Sequence, residues 1–211
     1  TDFSFLGNSG TKNNDGSTRQ NSRSTSPNLN GNLLFNHRFA RKGRTLSVNM
    51  SGGKSNSDGN IDYQNLSTYY LPNGQTLDTN LNQRIIQNNK NYNYGIRASY
   101  VEPLSKKRSL EFNYAYNNQF TGNDKETFDV NTVSGSEKYI DSLSNIFDNI
   151  YVTNRFGVNF RTNEKKYNYT VGIAVQPATI RSNSVTGKYA YSQNLVNYYP
   201  VIRFAYNFSR S

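Results

Sequence analysis

The stretch that decides the fold runs from residue 166 to residue 176 and reads Lys166-Tyr167-Asn168-Tyr169-Thr170-Val171-Gly172-Ile173-Ala174-Val175-Gln176. Its odd-numbered positions are aromatic or aliphatic, and its even-numbered positions are polar, small or cationic. Successive side chains of a β-strand point to opposite faces, so this period of two predicts a strand with one apolar and one polar face. Such a strand is typical of a transmembrane β-barrel wall, in which one face meets lipid and the other a polar lumen.

The same alternation recurs along the chain. Seven main strands are predicted, at residues 28–41, 44–53, 90–102, 108–121, 151–162, 166–178 and 195–209, with a partial strand at 1–6. Strands of this length exceed the ~5–6 residues common in soluble proteins. They suit a tilted membrane span of ~9–11 residues with an overhang. The expected fold is therefore all-β: an antiparallel up-and-down transmembrane β-barrel wall, about eight strands of a larger barrel.

The predicted connections alternate between short and long. Short turns are expected at 42–43, 103–107 and 163–165, and long loops at 7–29, 54–89, 122–150 and 179–194. Successive connections of an up-and-down sheet lie at opposite ends, so all the short ones should share one rim. Outer-membrane barrels have short periplasmic turns and long extracellular loops. We therefore expect residues 1–211 to form a single partial barrel domain whose four long loops are extracellular.

Composition narrows the possible classes of function. The chain contains no cysteine, which excludes disulfides, thiolate metal sites and a cysteine nucleophile. No apolar run approaches the ~18 residues of a transmembrane helix. The net charge of +10 indicates either an anionic partner or charge scattered over loops and lumen. Because no run of five basic residues occurs, the scattered arrangement is favoured and no nucleic-acid partner is expected.

Several segments carry a family resemblance. They are Asn93-Tyr94-Gly95-Ile96-Arg97-Ala98-Ser99-Tyr100-Val101-Glu102-Pro103-Leu104, Ser109-Leu110-Glu111-Phe112-Asn113-Tyr114, Asp141-Ser142-Leu143-Ser144-Asn145, Tyr167-Asn168-Tyr169-Thr170-Val171-Gly172, and Pro200-Val201-Ile202-Arg203-Phe204-Ala205-Tyr206-Asn207-Phe208-Ser209. Together they make residues 28–211 resemble the barrel of TonB-dependent-receptor-like outer membrane proteins. The Tyr-x-Glu-Pro-Leu turn and the Asp-Ser-Leu-Ser-Asn loop are the most specific of these segments.

The resemblance implies the outer membrane of a Gram-negative bacterium. It also implies a barrel of ~22 strands around a plug domain. Such proteins take up large substrates with energy from an inner-membrane complex. The implied partners are outer-membrane lipid, the plug domain and energy-coupling complex of a parent protein, and an unknown substrate. Because the chain opens as if within a strand, we interpret it as a barrel piece of that parent, without its plug.

Two other classes of protein fit parts of the pattern. A secreted soluble β-sandwich module that binds polysaccharide or another anionic polymer would also bury one face of each strand. The strand lengths and the asymmetry of the connections favour the barrel over this alternative. An outer-membrane enzyme is the third class, and the lack of a catalytic set argues against it.

The parity of the strands assigns candidate residues to the two faces. The lumen-facing candidates are Arg97, Glu111, Arg155, Arg161 and Arg203. They would form a charged lumen that holds a plug or guides an anionic substrate, or else pair with neighbouring carboxylates as ordinary solvated side chains. The lipid-facing residues are Phe112, Tyr114, Phe156, Val158, Val171, Ile173, Ile202 and Phe204. The tyrosines of this parity are expected in aromatic girdles at the bilayer interfaces.

No catalytic, cofactor or metal site is predicted. His37 is the only histidine, and it shares its face with Phe35 and Phe39, which indicates an interfacial ring. A metal site or a catalytic triad would need further ligands or an orienting carboxylate. The acidic residues of the 122–150 segment lack the spacing of a calcium-binding loop.

Overall fold

The computed structural model describes residues 1–6 and 12–208, which are arranged almost entirely in β-strands. The strands are β1 (Asp2–Leu6), β2 (Lys12–Thr25), β3 (Asn28–Arg38), β4 (Thr45–Tyr70), β5 (Thr76–Pro103), β6 (Arg108–Val130), β7 (Glu137–Tyr139), β8 (Asn145–Asn163), β9 (Tyr167–Ser184) and β10 (Tyr189–Tyr206). A single 3₁₀ turn, Asp141–Leu143, is the only helical element of the described residues. None of their helical structure is long and apolar enough to cross a membrane.

All ten strands belong to one antiparallel sheet. Its main path is β1-β2-β4-β5-β6-β8-β9-β10, with β3 beside β4 and β7 beside β6. Consecutive long strands are neighbours throughout, which is the predicted up-and-down order. Within the described residues β1 does not pair with β10, so the sheet is open. One sheet without a second packed against it shows that the β-sandwich alternative is wrong for these residues.

The strands β2 and β3 follow one another along the same edge of β4. The first pairs with residues 58–69 of β4 and the second with residues 45–55. The interruption between β2 and β3 lies at Pro27, which has no N–H to donate a backbone hydrogen bond to β4. Its carbonyl still accepts a hydrogen bond from the Asn56 N–H at 3.2 Å. Together β2 and β3 thus act as one long strand, and the main path of the sheet has the eight strands expected, including the partial one at the start, while the three-residue β7 is additional.

The four predicted long loops are mostly strand, and their boundaries are wrong. Residues 12–25 of the first form β2, and its residues 7–11 lie outside the described part. The described connections at this end are only residues 71–75, 131–144 and 185–188. The three short turns are found as predicted, in the connections 39–44, 104–107 and 164–166.

The polarity of these strands explains the error. On β5, the parity that carries Tyr92 and Tyr100 continues toward Thr76 as Lys90, Asn88, Ile86, Arg84, Asn82, Asn80 and Asp78, with a single apolar residue. This part of β5 is mostly polar on both faces and shows no regular hydrophobic alternation, so its sequence resembles that of a loop. Its hydrogen bonds come from neighbouring strands, and β4 and β5 pair without interruption from Thr45↔Val101 to Tyr70↔Thr76. Long hairpins therefore replace the predicted loops.

Large apolar side chains lie on the surface of the sheet. Ala174 and Ala178 are the only buried hydrophobic residues described, whereas Ile202 is 79% exposed and Phe204 69%. Monomeric soluble proteins rarely leave an apolar patch of such extent open to water. The exposed face therefore requires an apolar surrounding such as the hydrocarbon of a bilayer.

We expect replacement of Gly172 by alanine to disrupt the pairing of β8 with β9. A Cβ at this position would lie 2.6 Å from the backbone oxygen of Val158 and 3.0 Å from the Cα of Asn159. Overpacking of this kind costs about 1–3 kcal/mol. Urea unfolding of the full-length protein in vesicles measures it, with Gly31→Ala as the control because a Cβ there meets nothing within 4 Å. Equal stability of the two variants would contradict the close packing.

Candidate functional site

The pairing register brings the five predicted charged residues to one face, here called the polar face. Arg97 and Arg155 both lie opposite Ala115. Glu111 lies four residues before Ala115 on β6, and therefore on the same side. Arg161 pairs with Thr170, which in turn pairs with Arg203. Arg161 and Arg203 lie on the same face as Arg97, Arg155 and Glu111. This follows because Ser109, which has the same parity on β6 as Glu111, lies opposite Arg161.

A groove of about 650 Å³ on the polar face is lined by Arg97 and Arg155. Small polar side chains form much of its wall: Ser47, Asn49, Ser51, Ser99, Asn113, Thr153 and Asn159. None of the lining residues is acidic, and neither arginine forms an ion pair with another described residue. The groove therefore contains two positive charges and no negative one, and we call it the cationic notch, which is open to an anionic group.

Arg155 is held by an aromatic ring two strands away. Its guanidinium carbon lies 4.5 Å from the centroid of Tyr199 on β10. The intervening residue of β9 is Ala174, which pairs with Tyr199 and with Gly157. Its small side chain lets the arginine reach across, and a cation–π contact of this kind fixes the guanidinium without neutralising its charge.

The charges nearer the short turns, on Glu111, Arg161 and Arg203, partly neutralise one another. Arg161 forms an ion pair with Glu111, and the Ser99 hydroxyl donates a hydrogen bond to the other Glu111 oxygen at 3.3 Å. Glu111 is buried, so this pairing removes an otherwise costly isolated charge. Arg203 lines a second cavity with Arg161, of about 840 Å³. The prediction that lumen arginines pair with neighbouring carboxylates thus describes Arg161, while the notch arginines correspond to the open, charged alternative.

The opposite face, here called the apolar face, carries the eight residues predicted to face lipid. The register joins them in rows, such as Phe112↔Val158↔Ile173 and Tyr114↔Phe156. On β5 the apolar stretch of this face extends from Tyr92 to Tyr100, which at ~3.3 Å per residue is ~26 Å along the strand. With a strand tilt of ~35–45° this length corresponds to a band ~19–22 Å tall, close to the ~25 Å apolar band of transmembrane barrels.

A cluster of charges lies where the apolar band ends at the short turns. Glu102 lies two residues beyond Tyr100, outside the band, and is 2.7 Å from Nη1 of Arg41 and 2.8 Å from Nε of Arg44. The Tyr100 hydroxyl donates a further hydrogen bond of 2.6 Å to Oε2 of Glu102. Hydrogen bonds from Arg44 and Tyr100 to the charged carboxylate lower the pKa of Glu102 from 4.5 to about 2.

The contribution of this cluster to stability should depend on pH. The folded-state pKa of Glu102 is depressed, so its stabilising effect is fully present above about pH 4.5 and disappears as the pH falls to about 2. We expect the Glu102→Gln variant of the full-length protein to melt at a lower temperature than wild type at pH 7. Thermal unfolding in detergent at pH 7, 4 and 2 should show this difference shrinking below pH 4.5. A difference that is the same at pH 7 and pH 2 would contradict the ionised cluster.

His37 lies among aromatic rings, as predicted. Its ring is parallel to that of Phe35, with centroids 6.4 Å apart, and edge-on to that of Phe39 at 4.5 Å. Phe39 in turn contacts Tyr100 edge-on at 6.1 Å. Among the described residues no three acidic, histidine or cysteine side chains come together in a way that could hold a metal ion. The structure thus gives His37 a packing role beside the short turns.

Sequence reasoning missed two parts of the site. The serines and asparagine of β4 that line the groove share the parity of the predicted lumen residues, so alternation could have identified them. The contacts of Glu102 with Arg41 and Arg44, and of Arg155 with Tyr199, join residues that are far apart in the sequence. These contacts depend on which strands are neighbours and on their register.

One continuous antiparallel sheet with an exposed apolar band on one face and a polar, arginine-containing groove on the other defines a class of protein. It is the wall of a transmembrane β-barrel. A model of the outer membrane protein beta-barrel family matches residues 37–211, and the chain belongs to that family. Its membrane is therefore the outer membrane, as the sequence resemblance implied.

Comparison with solved structures finds the crystal structure of the ferric citrate transporter FecA in its unliganded form. The TM-score is 0.45 at 10% identity, and the match covers 100% of this chain. The chain spans 39% of the length of that structure. No curated protein matches the chain.

Proposed function

We propose that this chain is part of the barrel of a TonB-dependent-receptor-like transporter that takes up a large substrate across the outer membrane. The observation that carries the proposal is the cationic notch of Arg97 and Arg155 on the face opposite the apolar band. A wall that only had to be stable in lipid would not require two arginines without carboxylate partners. Family membership supports the barrel, and the notch supports traffic of anionic groups along it.

In this proposal the polar face is the lumen and the apolar face meets lipid. Arg97 and Arg155 bind a carboxylate or phosphate group, either on a plug domain of the parent protein or on the passing substrate. The Glu111–Arg161 pair and Arg203 lie closer to the short turns and complete the charged lumen wall. Uptake takes its energy from an inner-membrane complex that contacts the parent protein.

Uptake by whole cells tests the proposal. Cells with and without the full-length gene are incubated with a panel of radiolabelled ferric chelates, cobalamin, oligosaccharides and peptides. We expect accumulation of at least one compound to require the gene and to stop when an uncoupler collapses the proton gradient. Gene-dependent accumulation that the uncoupler leaves unchanged would show a passive pore, and no gene-dependent accumulation of any compound would also count against the proposal.

The notch can be tested with the same assay. We expect the Arg97→Gln/Arg155→Gln double variant to reduce uptake of the identified compound about tenfold or more, since each charge-assisted hydrogen bond contributes ~1.5–3 kcal/mol. Lys90→Gln/Lys125→Gln is the matched control, because it removes the same charge from the long hairpins. Similar losses in both double variants would assign the effect to net charge and not to the notch.

A further inference from the structure

Positive charge is concentrated at one end of the sheet. The three short-turn connections, residues 39–44, 104–107 and 164–166, hold seven basic residues and one acidic residue. The three described connections at the other end hold two basic residues, Lys138 and Lys188, and two acidic ones, Glu137 and Asp141. The short-turn connections thus have a net charge of +6, and the described connections at the other end have none. We call the short-turn connections the basic rim.

The carboxylates near the basic rim are already engaged. Glu102 is held by two arginines, and Glu164 lies 2.5 Å from the Lys107 ammonium group. Lys42, Lys106 and Lys165 form no ion pair with any described residue. The rim thus has surplus cations, and these need anions from outside the chain.

An apolar groove leads to this rim along the other face. It has a volume of about 570 Å³ and lies among the side chains Ala98, Tyr100, Phe112, Tyr114, Phe156, Val158, Ile173 and Val175. The groove is deepest at Ala98, because this small residue is paired with the larger Val48 and Tyr114 of the neighbouring strands. At one end the Tyr100 ring lines the groove while its hydroxyl bonds Glu102, the carboxylate that holds Arg41 and Arg44. The apolar groove therefore ends beside the Glu102 cluster at the basic rim.

We propose that this groove and the basic rim together bind an anionic phospholipid of the surrounding bilayer. An acyl chain lies in the groove against Ala98 and Phe112, and the headgroup phosphate lies on Lys42 and Lys106, which form no ion pair with any described residue. The ligand must be an amphiphile because the apolar and cationic parts are adjacent, and it must be anionic because the rim carboxylates are already paired. Lysines at a membrane surface each strengthen the attraction of anionic lipid. The inference rests on the apolar face meeting lipid, but it does not depend on transport.

Titration of the detergent-solubilised full-length protein with phosphatidylglycerol, followed by native mass spectrometry, tests the proposal. The rim variant is Lys42→Gln/Lys106→Gln/Lys165→Gln. The matched control, Lys90→Gln/Lys125→Gln/Lys138→Gln, removes three lysines from the long-hairpin side. We expect wild type to bind phosphatidylglycerol more tightly than phosphatidylcholine, the rim variant to lose affinity roughly tenfold, and the control to change less than about twofold. Ala98→Phe fills the groove and should weaken binding without changing the charge.

Wild-type protein gives a test that no folding defect of a variant can disturb. Raising NaCl from about 0.05 to about 0.5 M should weaken phosphatidylglycerol binding, since the rim is exposed and salt screens such contacts. Equal affinity of wild type for the two lipids, or equal losses in the rim and control variants, would overturn the proposal. Inorganic phosphate that displaced the lipid at equimolar concentration would also overturn it, by showing an ion site in place of a lipid site. Failure of substrate uptake with lipid binding intact would reject the transporter and leave this site standing.

Discussion

Replacement of Ile173 by arginine is expected to cost about 2–4 kcal/mol of folding stability in a bilayer, the cost of a cation near the midplane of a barrel's lipid face. Ile173 is 54% exposed on the apolar face, between Val158 and Pro200 of the neighbouring strands. The band on β9 runs from Tyr169 toward Pro177, which puts Ile173 near its middle. No described carboxylate lies on this part of the face to receive the new charge.

The control is the same substitution at the same depth on the polar face. Asn159 pairs with Gly172, the residue next to Ile173, and with Glu111. An arginine there enters the open polar groove, so Asn159→Arg should cost much less than the ~2–4 kcal/mol expected at Ile173. Reversible urea unfolding of the full-length protein in lipid vesicles measures both variants. If the two substitutions cost the same, the assignment of the two faces to lipid and lumen is wrong.

Labelling of intact cells should distinguish the two ends of the sheet almost completely. The chain contains no cysteine, so a single one can be placed at Ser136, in the connection between β6 and β8, or at Ser105, in a short turn. Both serines are exposed, and each accepts or donates only hydrogen bonds within its own turn. A membrane-impermeant maleimide should label the Ser136→Cys protein in intact cells and the Ser105→Cys protein only after lysis.

This result would follow from the orientation of outer-membrane barrels, whose short turns face the periplasm. Labelling of both variants in lysed cells is the control for reactivity. Labelling of Ser105→Cys but not Ser136→Cys in intact cells would reverse the topology. The long hairpins would then be periplasmic, and they could not make the first contact with an external substrate.

The class of fold, the order of the strands in the apolar band and the parity of their side chains can all be predicted from the sequence. Alternation such as that of residues 166–176 arises because one face of each strand meets an apolar medium and the other a polar one. That constraint acts on each strand separately, so it can be seen in a single segment. The same reasoning located the three short turns and separated Arg97 and Arg155 from Phe112 and Ile173.

The length of the strands beyond the apolar band and the contacts between strands become visible only in the folded sheet. Residues 54–70 and 76–89 are mostly polar on both faces, with only scattered apolar residues. Their strand structure depends on hydrogen bonds from neighbouring strands, which leave no periodic signal in the sequence. The cationic notch, the Glu102 cluster and the gathering of basic residues at one rim likewise join residues from different turns and strands. Register and neighbour order set these contacts, and a pattern within one strand contains neither.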